Sequence, residues 1–128
     1  MSVPNDLLFT KTHEWLRRDD GTVVVGISHY AQDQLGEVVY VELPDTGLTV
    51  DAAEELGTLE SVKAVSEFFA PVAGEIVEVN ERLEDEPNLI NDDPYGDGWL
   101  VKLRVSSIDE DTLLEGAAYE QFLAEESH

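Results

Sequence analysis

The 128-residue chain contains no cysteine and only three lysines, Lys11, Lys63 and Lys102. The lack of cysteine excludes disulfides, thiolate metal sites and a cysteine nucleophile. Any dithiol chemistry carried by such a chain must bring its sulfurs in a cofactor, and no protein thiol is present to exchange with them. No apolar run reaches the ~20 residues of a membrane-spanning helix. Met1-Ser2-Val3-Pro4-Asn5-Asp6 lacks the basic and apolar regions of a secretory signal, so the expected location is the cytoplasm. The three histidines, His13, His29 and His128, show no His-x-x-x-His spacing, and no metal site is expected. There is no Gly-x-Ser-x-Gly, Walker or dinucleotide signature, and Gly96-Asp97-Gly98 reads as a turn rather than a phosphate cradle. These absences argue against an autonomous enzyme.

Acidic charge is present in excess. Against 29 Asp and Glu stand 7 Lys and Arg, a formal net charge of -22. Nucleic acid and anionic membranes are disfavoured as partners, and like charge opposes self-association, which points to a monomer. Self-repulsion of this size is relieved by salt, whose Debye length is ~3 Å at 1 M, so the composition suggests a halophile's salt-rich cytoplasm. At 42% hydrophobic residues the chain fits one domain, 1–128, with a modest core.

Within that acidic background Lys63 occupies Glu60-Ser61-Val62-Lys63-Ala64-Val65, between two strand-like segments. Leu56, Thr58 and Leu59 precede it, and Val65, Phe68, Phe69 and Val72 follow, predicting a hairpin over about 55–70 with the lysine on its turn. A solvated ε-ammonium is weakly nucleophilic, whereas a Schiff-base lysine needs desolvation or a cationic neighbour. A turn-tip lysine is therefore a poor catalytic amine and a good target for acylation by another enzyme. Taken alone it is also an ordinary solubilising residue. The surrounding pattern favours the functional reading: Gly36-Glu37-Val38-Val39-Tyr40-Val41-Glu42 is echoed by Gly74-Glu75-Ile76-Val77-Glu78-Val79-Asn80, with Lys63 between the copies.

Further strands are expected over about 9–17, 22–27, 38–43, 74–79 and 99–105. Ser28 is expected to cap a short helix that stops at Gly36. The breaker-rich stretch 84–94 reads as a long surface loop. A C-terminal helical region over about 109–126 is capped by Asp109 or a nearby serine, uses Leu113, Leu114, Ala117, Ala118, Phe122 and Leu123, and is divided at Gly116.

The two-fold echo around a lysine hairpin resembles the biotinyl/lipoyl carrier fold, a barrel-sandwich hybrid that is mainly β with short α segments. Gly47 and Gly74 match its turn glycines and are expected at positive φ. Five ordered motifs narrow the resemblance to the H protein family of the glycine cleavage system. They are Thr12-His13-Glu14-Trp15, the stretch Gly26 to Gly36, Val41-Glu42-Leu43-Pro44, Glu60 to Ala64, and Asp93 to Leu100.

That resemblance implies a non-catalytic carrier with lipoate in amide linkage on Lys63. It implies aminomethyl transfer from the pyridoxal-phosphate-dependent glycine decarboxylase (P protein) to the tetrahydrofolate-dependent aminomethyltransferase (T protein). Reoxidation then falls to dihydrolipoamide dehydrogenase (L protein). Glu60 matches the determinant read by the lipoate-attaching enzyme, and Thr12, Glu14, Gln34 and Glu67 match or neighbour positions of a cleft for the loaded arm. Gln34 stands where some relatives have histidine, so no imidazole acts there. A biotin carrier is disfavoured because Val62 and Ala64 replace the usual flanking methionines. A lipoyl domain of a 2-oxoacid dehydrogenase is disfavoured because Asp is absent before the lysine. An H-like protein relaying lipoate to other enzymes, and an unmodified acidic interaction module, remain alternatives.

Overall fold

The computed structural model describes residues 7–106, 108 and 113–126. Among the described residues, ten strands and four helices run in the order β1 (Leu8–Phe9), β2 (Glu14–Asp19), β3 (Thr22–Ile27), α1 (His29–Leu35), β4 (Val38–Glu42), β5 (Thr49–Val50), β6 (Glu55–Ser61), β7 (Val65–Phe69), β8 (Gly74–Val79), α2 (Arg82–Asp85), α3 (Leu89–Asp92), β9 (Val101–Arg104), β10 (Leu114–Glu115) and α4 (Gly116–Glu126). Seven strands form one sheet in the order β10-β1-β2-β3-β9-β8-β5, and three form the other, β4-β6-β7. The echoed segments open β4 in the small sheet and β8 in the large one, consistent with a barrel-sandwich hybrid.

The core lies between the sheets. Val23 and Val25 of β3, Leu103 of β9, Ile76 of β8, and Leu59 and Phe68 of the lysine hairpin are essentially inaccessible. In β6 the register shifts between Glu55 and Gly57, a bulge that lets Leu56 and Leu59 both face inward despite their odd spacing. A second cluster joins Tyr119 of α4 to Leu7, Phe9, Trp15 and Val24. There Tyr119 stacks on Phe9 at 4.3 Å.

Several expectations are corrected. The 84–94 stretch is not an open loop: α2 and α3 occupy most of it, because Leu83 and Ile90 are fully buried. Asn91 anchors this segment. Its Oδ1 accepts from the Val38 N–H at 2.9 Å, and its Nδ2 donates to Gln32 Oε1 at 2.9 Å and the Gly36 carbonyl at 2.8 Å. The described C-terminal helix starts at Gly116, since Leu114–Glu115 instead pairs with β1. Asp109 lies outside the described residues. Gly47 has the expected positive φ of 92°, but Gly74 does not. Gly74 is required by space, as a Cβ there would lie 2.7 Å from the Arg104 carbonyl oxygen. The expected strand over 9–17 is interrupted at Thr10–His13, where His13 adopts φ 74°.

Candidate functional site

Lys63 sits at the tip of the β6–β7 hairpin and is exposed. Ser61, itself buried, locks the turn. Its N–H donates to the Ala64 carbonyl at 2.8 Å, and its Oγ accepts from the N–H groups of Ala64 at 3.0 Å and Lys63 at 3.3 Å. One hydroxyl thereby satisfies two turn amides that would otherwise need water. The Val62 N–H donates to the Glu37 carbonyl at 3.1 Å, tying the tip to the segment after α1. The lysine stem runs over Gly36, where a Cβ would lie 3.3 Å from Lys63 Cε. Gly36 ends α1 at φ 80°, ψ -157°, a region open almost only to glycine.

Beside the tip is a cleft of about 360 Å³, bounded by the 10–14 turn, α1 and the outer edge of β7. Thr12, Glu14, Gln34 and Glu67 all line it. Gln34, Glu67 and Thr12 are exposed, whereas Glu14 is 2% accessible. Glu14 is therefore not another solvated surface acid. Its Oε1 accepts from the hydroxyls of Thr12 and, at 2.7 Å, Thr10. Its Oε2 accepts from the Phe69 N–H at 3.3 Å, an amide on the edge strand of the opposite sheet. Burial pushes the Glu14 carboxyl above its ordinary pKa, while hydrogen bonds from Thr12, Thr10 and Phe69 oppose that rise. Its described side-chain partners are neutral donors, so a cation entering the cleft would meet a pre-positioned carboxylate.

The distant motifs build the cleft wall. Ser28 caps α1 by accepting from the Ala31 N–H at 3.1 Å, and its Oγ lies 2.7 Å from the Tyr119 hydroxyl. The same hydroxyl is 2.7 Å from His13 Nδ1, joining the C-terminal helix to the turn that carries Glu14. Trp15 Nε1 donates to the carbonyls of Ile27 at 2.9 Å and Pro94 at 3.0 Å. Gly26 leaves room for this indole, since a Cβ there would meet the ring at 2.5 Å. Tyr95, whose burial raises its hydroxyl pKa, accepts from the His29 N–H at 2.9 Å.

Comparison with known proteins fits this arrangement. The sequence pattern described as "Glycine cleavage H-protein" matches residues 7–126. The chain belongs to the glycine cleavage H-protein family. It is 54% identical over 124 residues to the glycine cleavage system H protein of Listeria monocytogenes, covering 96% of this chain and 99% of that one. It is 50% identical over 126 residues to the H protein of Marinobacter nauticus, covering 97% of each. The crystal structure of a glycine cleavage system H protein from Mycobacterium marinum superposes with a TM-score of 0.86 at 39% identity, covering 98% of this chain and 100% of that one. The family bears lipoate and serves as the carrier subunit of the glycine cleavage system.

The residues suit such an arm. Lys63 forms no ion pair among the described residues, its turn is hydrogen-bonded through Ser61, and a cleft opens alongside. Four sequence-predicted site residues converge on that cleft, while Glu60 stands apart on the exposed face of β6, paired in register with Tyr40 and Val65. Sequence reasoning missed His13, Tyr30 and Tyr119. His13 and Tyr30 line the cleft with rings 4.8 Å apart, and Tyr119 holds His13 from 106 residues away. His13 lay inside a recognised motif, but no local pattern linked it to Tyr119.

Proposed function

We propose that Lys63 carries lipoate in amide linkage and that the chain shuttles the aminomethyl group of glycine between the enzymes of the glycine cleavage system. The observation that carries this reading is an exposed lysine on a serine-locked tip beside a cleft lined by a buried carboxylate. Bound lipoate would supply a disulfide that is reduced as it takes up the aminomethyl group left by glycine decarboxylation, and a dithiol that dihydrolipoamide dehydrogenase reoxidises once the aminomethyltransferase has removed the one-carbon unit.

The chain's residues provide tether, anchor and shelter. Lys63 tethers the arm, raising its effective concentration at each partner. Ser61 keeps the tether's base in one geometry. Glu14 pairs with the protonated amine of the loaded arm, the countercharge offsetting the desolvation of its carboxylate. Thr12 orients that carboxylate, and Gln34 and Glu67 shape the rim, where Gln34 hydrogen-bonds without switching charge. Glu60 is read by the lipoate-attaching enzyme. The protein works as a monomer in a salt-rich cytoplasm, with no catalysis of its own.

Replacement of Lys63 by arginine tests the reading in a reconstituted glycine cleavage assay. Turnover is expected to vanish while the melting temperature stays within about 1 °C, because an exposed turn lysine contributes little packing. Unchanged turnover would remove Lys63 from the mechanism.

A further inference from the structure

Large apolar side chains are unusually concentrated near Lys63. Among the described residues, Val39, Tyr40, Leu48, Val62 and Val65 are the exposed ones, and all but Leu48 belong to the small sheet and its hairpin tip. Val62 and Val65 are 68% and 67% accessible, and Tyr40 is 53% accessible. Isolated exposed valines need no explanation, but a cluster beside the proposed attachment lysine on a chain of charge -22 does.

The register defines the surface. Tyr40 lies opposite Glu60, and Glu60 lies opposite Val65, so the three form one row across strands spaced about 4.8 Å apart. Val62 lies beyond the row, immediately before Lys63. Tyr40 faces outward because of a local irregularity: the register shifts between Val38 and Tyr40, leaving Val38 and Val41 buried while Val39 and Tyr40 are both exposed. Without that bulge, alternation would turn Tyr40 inward. The exposed carboxylates Glu37, Glu42, Glu60 and Glu67 are spread over the same strands and their flanks. Apolar groups on either side of a carboxylate, with further acids around them, match a partner that sets lysine or arginine among apolar contacts.

We infer that the face formed by Tyr40, Val62 and Val65 is the docking surface for the enzyme that forms the amide on Lys63. This rests on the reading of Lys63 as the lipoate site. The choice of partner follows from reach. In amide formation the deprotonated Nζ attacks the acyl carbon of lipoyl adenylate, which the attaching enzyme makes from lipoate and ATP. The C–N bond forms, the acyl C–O bond to AMP breaks, AMP departs and the amine proton goes to solvent. The reacting nitrogen is only a four-carbon stem from the backbone, so this enzyme must close over residues 62–65. Enzymes that handle the far end of the completed arm meet it a further arm's length away.

The test uses the full-length apo chain with a bacterial lipoate–protein ligase, lipoate, ATP and magnesium, following loading by intact mass. The Tyr40→Ser/Val62→Ser double variant, which leaves the arm cleft untouched, should load at least about tenfold more slowly at subsaturating carrier, the equivalent of about 1.4 kcal/mol. Val65→Ser, at a residue that also lines that cleft, should slow loading as well. Leu48→Ser, an equally exposed change away from the tip, should stay within about twofold of wild type, and matched melting curves establish that all variants fold. After exhaustive loading, the double variant should accept the aminomethyl group from glycine decarboxylase within about twofold of the loaded wild type.

Equal loading rates for double variant and wild type would overturn the inference while leaving Lys63 as the lipoate site. Equal losses in loading and aminomethyl transfer would also overturn it, by showing a face common to all partners. A wild-type chain that takes no lipoate would overturn the reading of Lys63, and the inference with it.

Discussion

At residues 61–65 the chain turns on contacts two and three residues long, with one serine hydroxyl holding two amides and the lysine left in solvent. At residues 10–14 the opposite construction applies. His13 has positive φ and is held from Tyr119, and Glu14 is buried against the edge amide of Phe69, 55 residues away. The tip is local, exposed and chemically available. The cleft wall is assembled from several elements and contains a carboxylate whose burial opposes ionisation. A carrier requires both, since the arm must leave its base freely and its cargo must find a fixed counter-charge on return.

Breaking the joint between the regions should have the largest effect on folding. Gly36 holds the left-handed end of α1 beneath the lysine stem, so Gly36→Ala should cost about 1–3 kcal/mol. Thermal melting should show a fall of several degrees; an unchanged melting temperature would mean that Gly36 does not require this backbone. Tyr119→Phe separates the regions more selectively, removing the hydroxyl shared by His13 and Ser28 at a cost of about 1–2 kcal/mol. It should shorten the lifetime of the loaded arm in water without slowing attachment of lipoate. Slowed attachment would contradict the independence of tip and wall.

Glu14→Gln probes charge alone. Because burial raises the folded-state pKa of Glu14 above its ordinary 4.5, the native chain retains a proton there that the unfolded chain releases. The associated stability is complete below that ordinary value and is lost as pH rises through the raised one. Glutamine cannot titrate, so the variant's melting temperature minus that of wild type should increase from pH 4 to pH 7; a flat difference would contradict the burial assignment. The smallest expected contrast is salt. Molar KCl should raise the wild-type melting temperature by screening the charge of -22, and no rise would remove the proposal of a salt-rich setting.

These two constructions also explain what could be read from the chain. The hairpin, the Ser28 cap and the Gly36 stop rest on neighbours in sequence, and the structure bears them out. The 84–94 stretch misled because Pro87, Asn88 and several acids obscured Leu83 and Ile90, which become core only when α2 and α3 meet the sheets. The C-terminal helix was overextended because Leu113 and Leu114 continue its apolar spacing, although Leu114 belongs to a strand created by distant β1. The bulges in β4 and β6 depend on partner strands and leave no local mark, so Tyr40's exposure was equally hidden. In the cleft, motif resemblance brought Glu14 and Thr12 into view, while the carboxylate's burial required the fold.

The measurement that most directly tests the account is the mass of the peptide containing Lys63, taken from protein purified from its native, lipoate-replete cells. The account predicts a lipoyl adduct on Lys63. An unmodified Lys63 throughout the population would contradict the carrier role and leave an acidic interaction module in its place.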